Sequence, residues 1–337
     1  MPFYNKHFSH IYVEEEAYNY PLCFDILNCF SKSVIIKVDS YKDIVSRTKQ
    51  AFSLQKKSKC LVIAVKKSGF LYDYSRFAQD IGQKNLFYNA LTINCLYDCS
   101  YCYLQGMSSS ANLVSFINLQ DFFSETEEAI LNRKYTNYPF VLCLSLDTDI
   151  LSFENIVPYC RKWINFAYRH KDFIAEIRTK STNFHSISGL EPTDRVLLAW
   201  TLSPNEVASR YEQGAPSPKQ RVLAAKEAVD RGWRIRLCFD PVIPIDGWRE
   251  LYTECVNEAF GALPIDGIQD ATVGTFRMAA DHLRVARKNR PEVELLHQNW
   301  EVRDGVVALP RDEQAEVTTF IKGLILKWLP DNHIYVW

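Results

Sequence analysis

The sequence lacks several features that define large classes of protein. No run of about eighteen apolar residues occurs, so nothing predicts a transmembrane helix. The first ten residues, MPFYNKHFSH, lack the apolar stretch of a secretory signal. With 39 Lys and Arg against 40 Asp and Glu, the formal charge of -1 excludes binding of nucleic acid by bulk positive charge. We therefore expect a cytoplasmic protein without a membrane partner, and its oligomeric state stays open.

What the chain does contain is enough apolar surface for a sizeable core. Of its 337 residues, 47% are hydrophobic and 13% are aromatic, which excludes a disordered chain. Ten cysteines are spread along it, and only three of them lie close together. A disulfide framework belongs to shorter, secreted, more cysteine-dense chains, so reduced thiols are the better interpretation.

Short apolar segments alternate with longer amphipathic ones, which is typical of repeated β-α units around a parallel sheet. Before them, β-branched runs at 34–38 and 61–65 predict a small N-terminal α/β region that ends near Lys84. We predict an N-terminal α/β cap at 1–84 and a partial (β/α)6 TIM barrel with a C-terminal closing segment at 85–337. The predicted barrel strands are 88–94, 140–146, 173–178, 196–203, 234–239 and 271–276. The predicted helices are 119–133, 154–170, 218–231 and 248–261, with a closing helix at 313–328.

The three neighbouring cysteines form a C-x3-C-x2-C motif directly after the first predicted barrel strand. Cys95, Cys99 and Cys102 can bind one face of a 4Fe-4S cluster and leave the fourth iron without a protein ligand. That open iron can take the amino and carboxylate groups of S-adenosylmethionine, whose cleavage gives a 5'-deoxyadenosyl radical. The alternatives are a zinc site and coincidence. Zinc prefers four ligands in paired C-x2-C groups, and the sequence offers no second pair.

With an aromatic residue before the third cysteine, this motif resembles that of the radical S-adenosylmethionine superfamily. The longer loop 99–105, CSYCYLQ, resembles the cluster loop of the spore photoproduct lyase family, which reverts a thymine dimer in DNA. The resemblance covers nearly the whole chain. It includes the segments 18–22, 148–151, 178–180, 241–248 and 310–315. It implies a partial TIM barrel of radical S-adenosylmethionine type and an enzyme of lyase type.

The resemblance also implies roles for residues outside the cysteine motif. Tyr101 and Tyr103 match two tyrosines beside the cluster, one of which shapes the S-adenosylmethionine pocket while the other relays a hydrogen atom. Thr148, Lys180 and Thr201 match residues that contact S-adenosylmethionine, and each follows or ends a predicted strand. The carboxyl ends of the strands are where β-α barrels carry their sites. Taken without the resemblance, Lys180 could equally be an ordinary surface residue.

One departure from the family concerns the hydrogen donor. Where the family has a cysteine that returns a hydrogen atom to the thymine product radical, this sequence has Leu146. Cys143 is nearby, but side chains alternate along a strand, so unless a bulge intervenes we expect it on the opposite face, packed against a helix. Tyr103 then remains as a direct donor, or the substrate needs no returned hydrogen.

A second departure concerns DNA. The family inserts a hairpin rich in Gly, Tyr and basic residues into the duplex, and the matching segment here is 299–306, NWEVRDGV. Trp300 and Arg303 could wedge or stack against a base, but Glu301 and Asp304 would repel phosphates. A basic run at 282–290 could contact the DNA backbone or be a solvated helix face.

Three functions therefore stay open. The first is a radical S-adenosylmethionine lyase that abstracts hydrogen from a DNA lesion or modified base, with DNA and an electron donor such as flavodoxin or ferredoxin as partners. The second is an enzyme of the same family that acts on RNA, a nucleotide or a peptide. The third is a non-catalytic iron-sulfur protein that senses redox state. Retention of the residues implied to contact S-adenosylmethionine argues against the third.

Overall fold

The computed structural model describes residues 8–74 and 81–337. Its first nine strands are β1 (His10–Glu14), β2 (Val34–Val38), β3 (Leu61–Ala64), β4 (Tyr72–Asp73), β5 (Asn85–Tyr88), β6 (Thr92–Ile93), β7 (Asp98–Cys99), β8 (Leu113–Phe116) and β9 (Phe140–Cys143). The next nine are β10 (Phe173–Thr179), β11 (Val196–Thr201), β12 (Glu212–Gln213), β13 (Ile235–Val242), β14 (Ile268–Thr275), β15 (Arg277–Ala279), β16 (Glu301–Arg303), β17 (Val306–Ala308) and β18 (Ile334–Val336).

The α-helices are interleaved with these strands. They are α1 (Pro21–Asn28), α2 (Lys42–Val45), α3 (Phe52–Lys57), α4 (Leu104–Met107), α5 (Leu119–Leu131), α6 (Ile150–Phe153), α7 (Tyr159–Arg169), α8 (Asn205–Tyr211), α9 (Pro218–Asp230), α10 (Trp248–Ala262), α11 (Ala280–Asn289) and α12 (Arg311–Ile325). None of the helices in the described residues has the length and apolar character that a bilayer-spanning segment requires.

The main sheet supplies the frame of the molecule. Its eight strands lie in the order β18-β14-β13-β11-β10-β9-β5-β4, and the six from β14 to β5 are parallel neighbours. Parallel neighbours need crossover connections, and helices such as α7, α9 and α10 supply them. The sheet curls into a half barrel, so the predicted α/β fold with a partial (β/α)6 barrel is confirmed.

A second sheet of five strands, in the order β2-β1-β3-β8-β6, contains both runs predicted for the N-terminal region. It also takes β6 and β8 from beyond residue 84, while β4 pairs with β5 of the main sheet. Buried residues of the two sheets belong to one continuous apolar core. The division of the chain at residue 84 therefore stays a prediction.

Two predicted barrel strands differ from those in the structure. The predicted strand 88–94 overlaps β5 only at Tyr88, its later part forms β6 of the second sheet, and Asn94 at its end has φ 68°. The run 140–146 forms a strand only to Cys143, since Ser145 has φ 55° and the chain turns there. Non-glycine residues adopt positive φ only where other contacts hold them, and both turns border the same cavity.

Candidate functional site

The cysteine motif lies in a loop that several elements hold in place. Asn94, just before the first cysteine, donates from its side-chain amide to the carbonyl oxygens of Ser110 (2.8 Å) and Asn112 (2.7 Å). Cys99 lies on β7, which pairs antiparallel with β12 after helix α8. The backbone N–H of Cys102 donates to the carbonyl oxygen of Cys99 at 3.1 Å, which closes the end of the loop.

All three cysteines of the motif line one cavity of about 460 Å³ at the carboxyl ends of the barrel strands. Among the described residues, no three His, Cys, Asp or Glu side chains converge on one metal-ion position. Thiols spread around a shared cavity suit a cluster, in which each iron takes its own cysteine, better than a single zinc ion. A donor set of three thiols from one loop fits a 4Fe-4S cluster with one open iron.

The residues implied to contact S-adenosylmethionine border the same cavity. Thr148, Lys180 and Thr201 all line it, and each follows or ends a strand of the parallel sheet. Lys180 lies with its ammonium over the ring of Tyr101, 5.3 Å from the ring centre. Its backbone N–H donates to the side chain of Asp149 at 2.7 Å, which fixes the start of the loop after β10.

The two tyrosines beside the cysteines have different partners. Tyr101 is buried, and its hydroxyl donates to the carboxylate of Glu212. Tyr103 donates from its hydroxyl to the backbone carbonyl oxygen of Leu146 at 2.8 Å. The phenol of Tyr103 therefore lies beside Leu146, the position where the sequence departs from the family that it resembles.

Sequence reasoning missed Glu212, the carboxylate around which this side of the cavity is built. It is buried, and it accepts hydrogen bonds from Tyr101, from Ser203 (3.2 Å) and from the guanidinium of Arg221. The Lys180 ammonium lies 3.8 Å away. Burial tends to raise the pKa of Glu212, but Lys180 and Arg221 outweigh it and hold the pKa below its ordinary value. The side chain is therefore a buried anion shared by two cations.

Cys143 does not lie where we predicted it. The argument from alternating faces requires a strand that continues to Leu146, whereas β9 ends at Cys143 and the chain then turns. Both residues line the cavity, and Cys143 lies beside Glu176, its neighbour in register on β10. Burial raises the pKa of the Cys143 thiol well above its ordinary value, and the Glu176 carboxylate adds to the effect. At neutral pH the thiol keeps its hydrogen.

The floor of the cavity carries matched charges. Arg178, whose side chain is 22% exposed, lies 3.1 Å from Glu176 and 3.6 Å from Asp240. Arg277 bonds the same Asp240 through two nitrogens, at 2.6 and 3.0 Å. A cavity with these groups at its base suits a substrate that carries hydrogen-bonding atoms better than an apolar one.

The hairpin formed by β16 and β17 is tied to the body of the protein. Trp300 packs on Phe276 with ring centres 4.6 Å apart, and its indole N–H donates to the carbonyl oxygen of Leu295. Arg303 donates to the carbonyl oxygen of Leu309 and to the side chain of Gln314. Both side chains are thus engaged inside the molecule, which argues against the wedge or stacking role considered for them.

Part of the basic run at 282–290 is structural as well. The run lies on α11, where Arg290 pairs with Asp98 in the cysteine loop and Arg287 donates to the carbonyl oxygen of Leu296. Arg284 is 78% exposed, and its contact is with Asp281 one turn away. The helix thus supports the cysteine loop, and only part of its charge faces solvent.

Comparison with known proteins gives a consistent result. The model of the family described as "Spore photoproduct lyase" matches residues 7–335. The spore photoproduct lyase of Geobacillus sp. (strain Y412MC61) is 23% identical over 299 residues, which cover 85% of this chain and 83% of that protein. The one from Clostridium acetobutylicum is 21% identical over 258 residues, which cover 75% of this chain and 74% of that protein.

Solved structures agree in fold. A spore photoproduct lyase complexed with dinucleoside spore photoproduct superimposes with a TM-score of 0.81 at 19% identity, covering 100% of this chain and 99% of the other. A double mutant of spore photoproduct lyase with bound AdoMet and the same dinucleoside also has a TM-score of 0.81, at 18% identity and the same coverage.

Proposed function

Because this chain belongs to the spore photoproduct lyase family, we propose that it is a radical S-adenosylmethionine lyase that acts on a thymine-derived lesion in DNA. Its cofactors are a 4Fe-4S cluster and S-adenosylmethionine. The observation that carries the proposal is the single cavity at the carboxyl ends of the barrel strands. The three cysteines of the motif, the partly buried Lys180 and the two tyrosines beside the cysteines all border it.

Six residues that line the cavity bind the cofactors in this proposal. Cys95, Cys99 and Cys102 bind the cluster, and Lys180 donates a charge-assisted hydrogen bond to S-adenosylmethionine. The hydroxyls of Thr148 and Thr201 contact the same cofactor. With the cluster bound and reduced by one electron, the two cofactors would together supply a 5'-deoxyadenosyl radical for hydrogen abstraction.

The protein's own groups control what surrounds that step. Glu212 fixes the hydroxyl of Tyr101 and offsets the charge of Lys180, so that both side chains keep one orientation toward the cavity. Tyr103 shapes the wall beside the turn at Leu146. The charged floor at Arg178 and Asp240 offers hydrogen bonds to the polar edge of a base. Such fixed groups exclude water and orient a substrate without reorganising during the reaction.

The proposal implies two partners besides the lesion itself. DNA carries the substrate, and a one-electron carrier such as flavodoxin or ferredoxin supplies the reducing electron. A cytoplasmic location is part of the proposal, and ten free cysteines in the described structure fit a reducing compartment.

The test is a product assay under anaerobic conditions. Reduced protein with a reconstituted cluster is incubated with S-adenosylmethionine and dinucleoside spore photoproduct, and thymidine products and 5'-deoxyadenosine are measured. We expect 5'-deoxyadenosine and consumption of the lesion, with only a small yield of cleanly repaired thymidine product, and neither change from Cys99→Ala. Formation of 5'-deoxyadenosine with no change in the lesion would contradict the proposed substrate while leaving the radical chemistry intact.

That second outcome would favour an enzyme of the same family with another substrate, such as RNA, a nucleotide or a peptide. Two observations support this candidate. The donor position of the family is occupied by Leu146, and the side chains of Trp300 and Arg303 are engaged within the protein. The same assay with oligoribonucleotides in place of the dinucleoside distinguishes the two.

A further inference from the structure

Helix α3 carries a lysine whose charge is buried against the cysteine loop. Lys56 is only 8% exposed, although it belongs to a six-residue helix at the surface. Its ammonium donates to the carbonyl oxygen of Cys95 at 3.0 Å and to that of Tyr97 at 2.8 Å. It lines the same cavity as the three cysteines of the motif. The side chain thus joins the N-terminal region to the loop that contains them.

In the described part of the chain, no carboxylate lies within 4 Å of this ammonium. The nearby Asp98 is engaged by Arg290. Two carbonyl oxygens satisfy hydrogen bonds but bring no negative charge, and a buried cation without an anion is costly. Lysine at this position therefore needs an anion that the described residues do not supply within 4 Å.

We propose that Lys56 is the counter-charge of the iron-sulfur cluster, and that it both closes the cysteine loop and favours the reduced state of the cluster. This inference rests on the cluster assigned under the proposed function. One-electron reduction adds a negative charge to a cluster whose ligands are already thiolates. A fixed cation in a surrounding of low dielectric stabilises that charge, and cluster potentials respond to net charge and to the groups around the ligands.

The chain offers a matched control in the next residue. Lys57 is exposed at the end of the same helix, so Lys57→Met removes the same charge from the same element without changing the contacts of the cavity. Lys56→Arg keeps the charge, and Lys56→Met removes it with a side chain of similar length. Comparison of the three separates the effect of a buried charge from a general change in surface charge.

The experiment is a redox titration of the reconstituted cluster, followed by electron paramagnetic resonance of the reduced form. We expect Lys56→Met to disfavour reduction by about tenfold, a shift of about 59 mV to lower potential for a one-electron couple. Lys57→Met and Lys56→Arg should stay close to the wild type. A wild-type potential in Lys56→Met with full iron content would overturn the inference.

A second measurement covers the case in which Lys56→Met binds iron poorly. Thermal unfolding is compared with and without the cluster, and loading should stabilise the wild type more than Lys56→Met. If the cluster raised Tm equally in the wild type and in Lys56→Met, and the variant were less stable with and without the cluster, the role of Lys56 would be structural only. That result would overturn the inference. If the wild type itself binds no iron, the proposed function fails instead, so the two failures are distinguishable.

Discussion

The buried pair of Glu212 and Arg221 provides the most quantitative test of the site. Arg221 is fully buried, and Glu212 is the only carboxylate within 4 Å of it among residues 8–74 and 81–337. Glu212→Gln keeps the size of the side chain but leaves the Arg221 guanidinium with two carbonyl oxygens, of Pro216 and Thr201, and with the cation of Lys180 nearby. The variant therefore creates buried positive charge with no anion.

The expected loss of stability follows from the burial of the pair. Removing one partner of a buried ion pair costs about 3–5 kcal/mol, since the remaining charge is left without a partner. An unfolding entropy of about 2.1 cal/mol/K per residue gives roughly 0.7 kcal/mol/K for 337 residues. Glu212→Gln should therefore lower Tm by about 4–7 °C.

Removing the other partner should cost less. Arg221→Met leaves Glu212 with the ammonium of Lys180 at 3.8 Å and the hydroxyls of Ser203 and Tyr101, so the carboxylate stays compensated. The double variant has neither charge of the pair and should be more stable than Glu212→Gln alone, because it no longer buries a guanidinium without its anion.

The assay is thermal unfolding of the cluster-free protein by circular dichroism, with the exposed Glu206→Gln as the control. Two results would refute the reasoning. One is a Tm for Glu212→Gln equal to that of Arg221→Met. The other is a double variant whose loss equals the sum of the single losses, which would mean that the two groups do not interact.

Four further outcomes are expected. Cys99→Ala should abolish the binding of about four irons per chain measured after anaerobic reconstitution, because two thiolates hold a cubane poorly. Lys180→Ala should weaken S-adenosylmethionine binding about ten- to a hundredfold, because one charge-assisted hydrogen bond contributes roughly 1.5–3 kcal/mol. Calorimetry measures the affinity, and the iron content should stay unchanged. Burial raises the pKa of Glu154 from 4.5 to about 7. The free energy of unfolding that Glu154 contributes is therefore fully present below about pH 4.5 and is lost as the pH rises through 7. The decline in the free energy of unfolding is at most about 3 kcal/mol, and Glu154→Gln should make it smaller. Denaturant unfolding between pH 5 and 8 measures it. The wild type should give little clean repair of the spore dimer. Leu146→Cys should raise the residual repair and Cys143→Ala should lower it, as measured by chromatography of the products.

Much of the fold follows from the sequence because its signals are local. Apolar strands and amphipathic helices alternate with a fixed period, and this pattern predicts the parallel half barrel found in the structure. Helix ends were less predictable. The predicted helix 154–170 begins at Tyr159 in the structure, since Pro158 interrupts the backbone there and a separate short helix precedes it.

The sequence predicts those site residues that belong to one motif or that follow strands ending at the same edge of the parallel sheet. The three cysteines lie within one loop, and Lys180 and Thr201 follow or end parallel strands whose carboxyl ends meet at one edge. Glu212 and Lys56 carry no such signal. Lys56 is 39 residues from its partner Cys95, and only the packing of α3 on the loop brings them together.

The prediction for Cys143 failed for an instructive reason. Alternation of side chains is a property of extended backbone, and it ends where the strand ends. In this protein β9 stops at Cys143 and Ser145 turns with positive φ, so Cys143 and Leu146 line one cavity although they are three positions apart. A cysteine that donates a hydrogen atom needs a weak S–H bond, a protonated thiol and access to the substrate, and none of these requires a particular position in the sequence. Cys143 meets the second requirement through burial and lies on the cavity wall, so the loss of a cysteine at position 146 does not leave the cavity without a thiol.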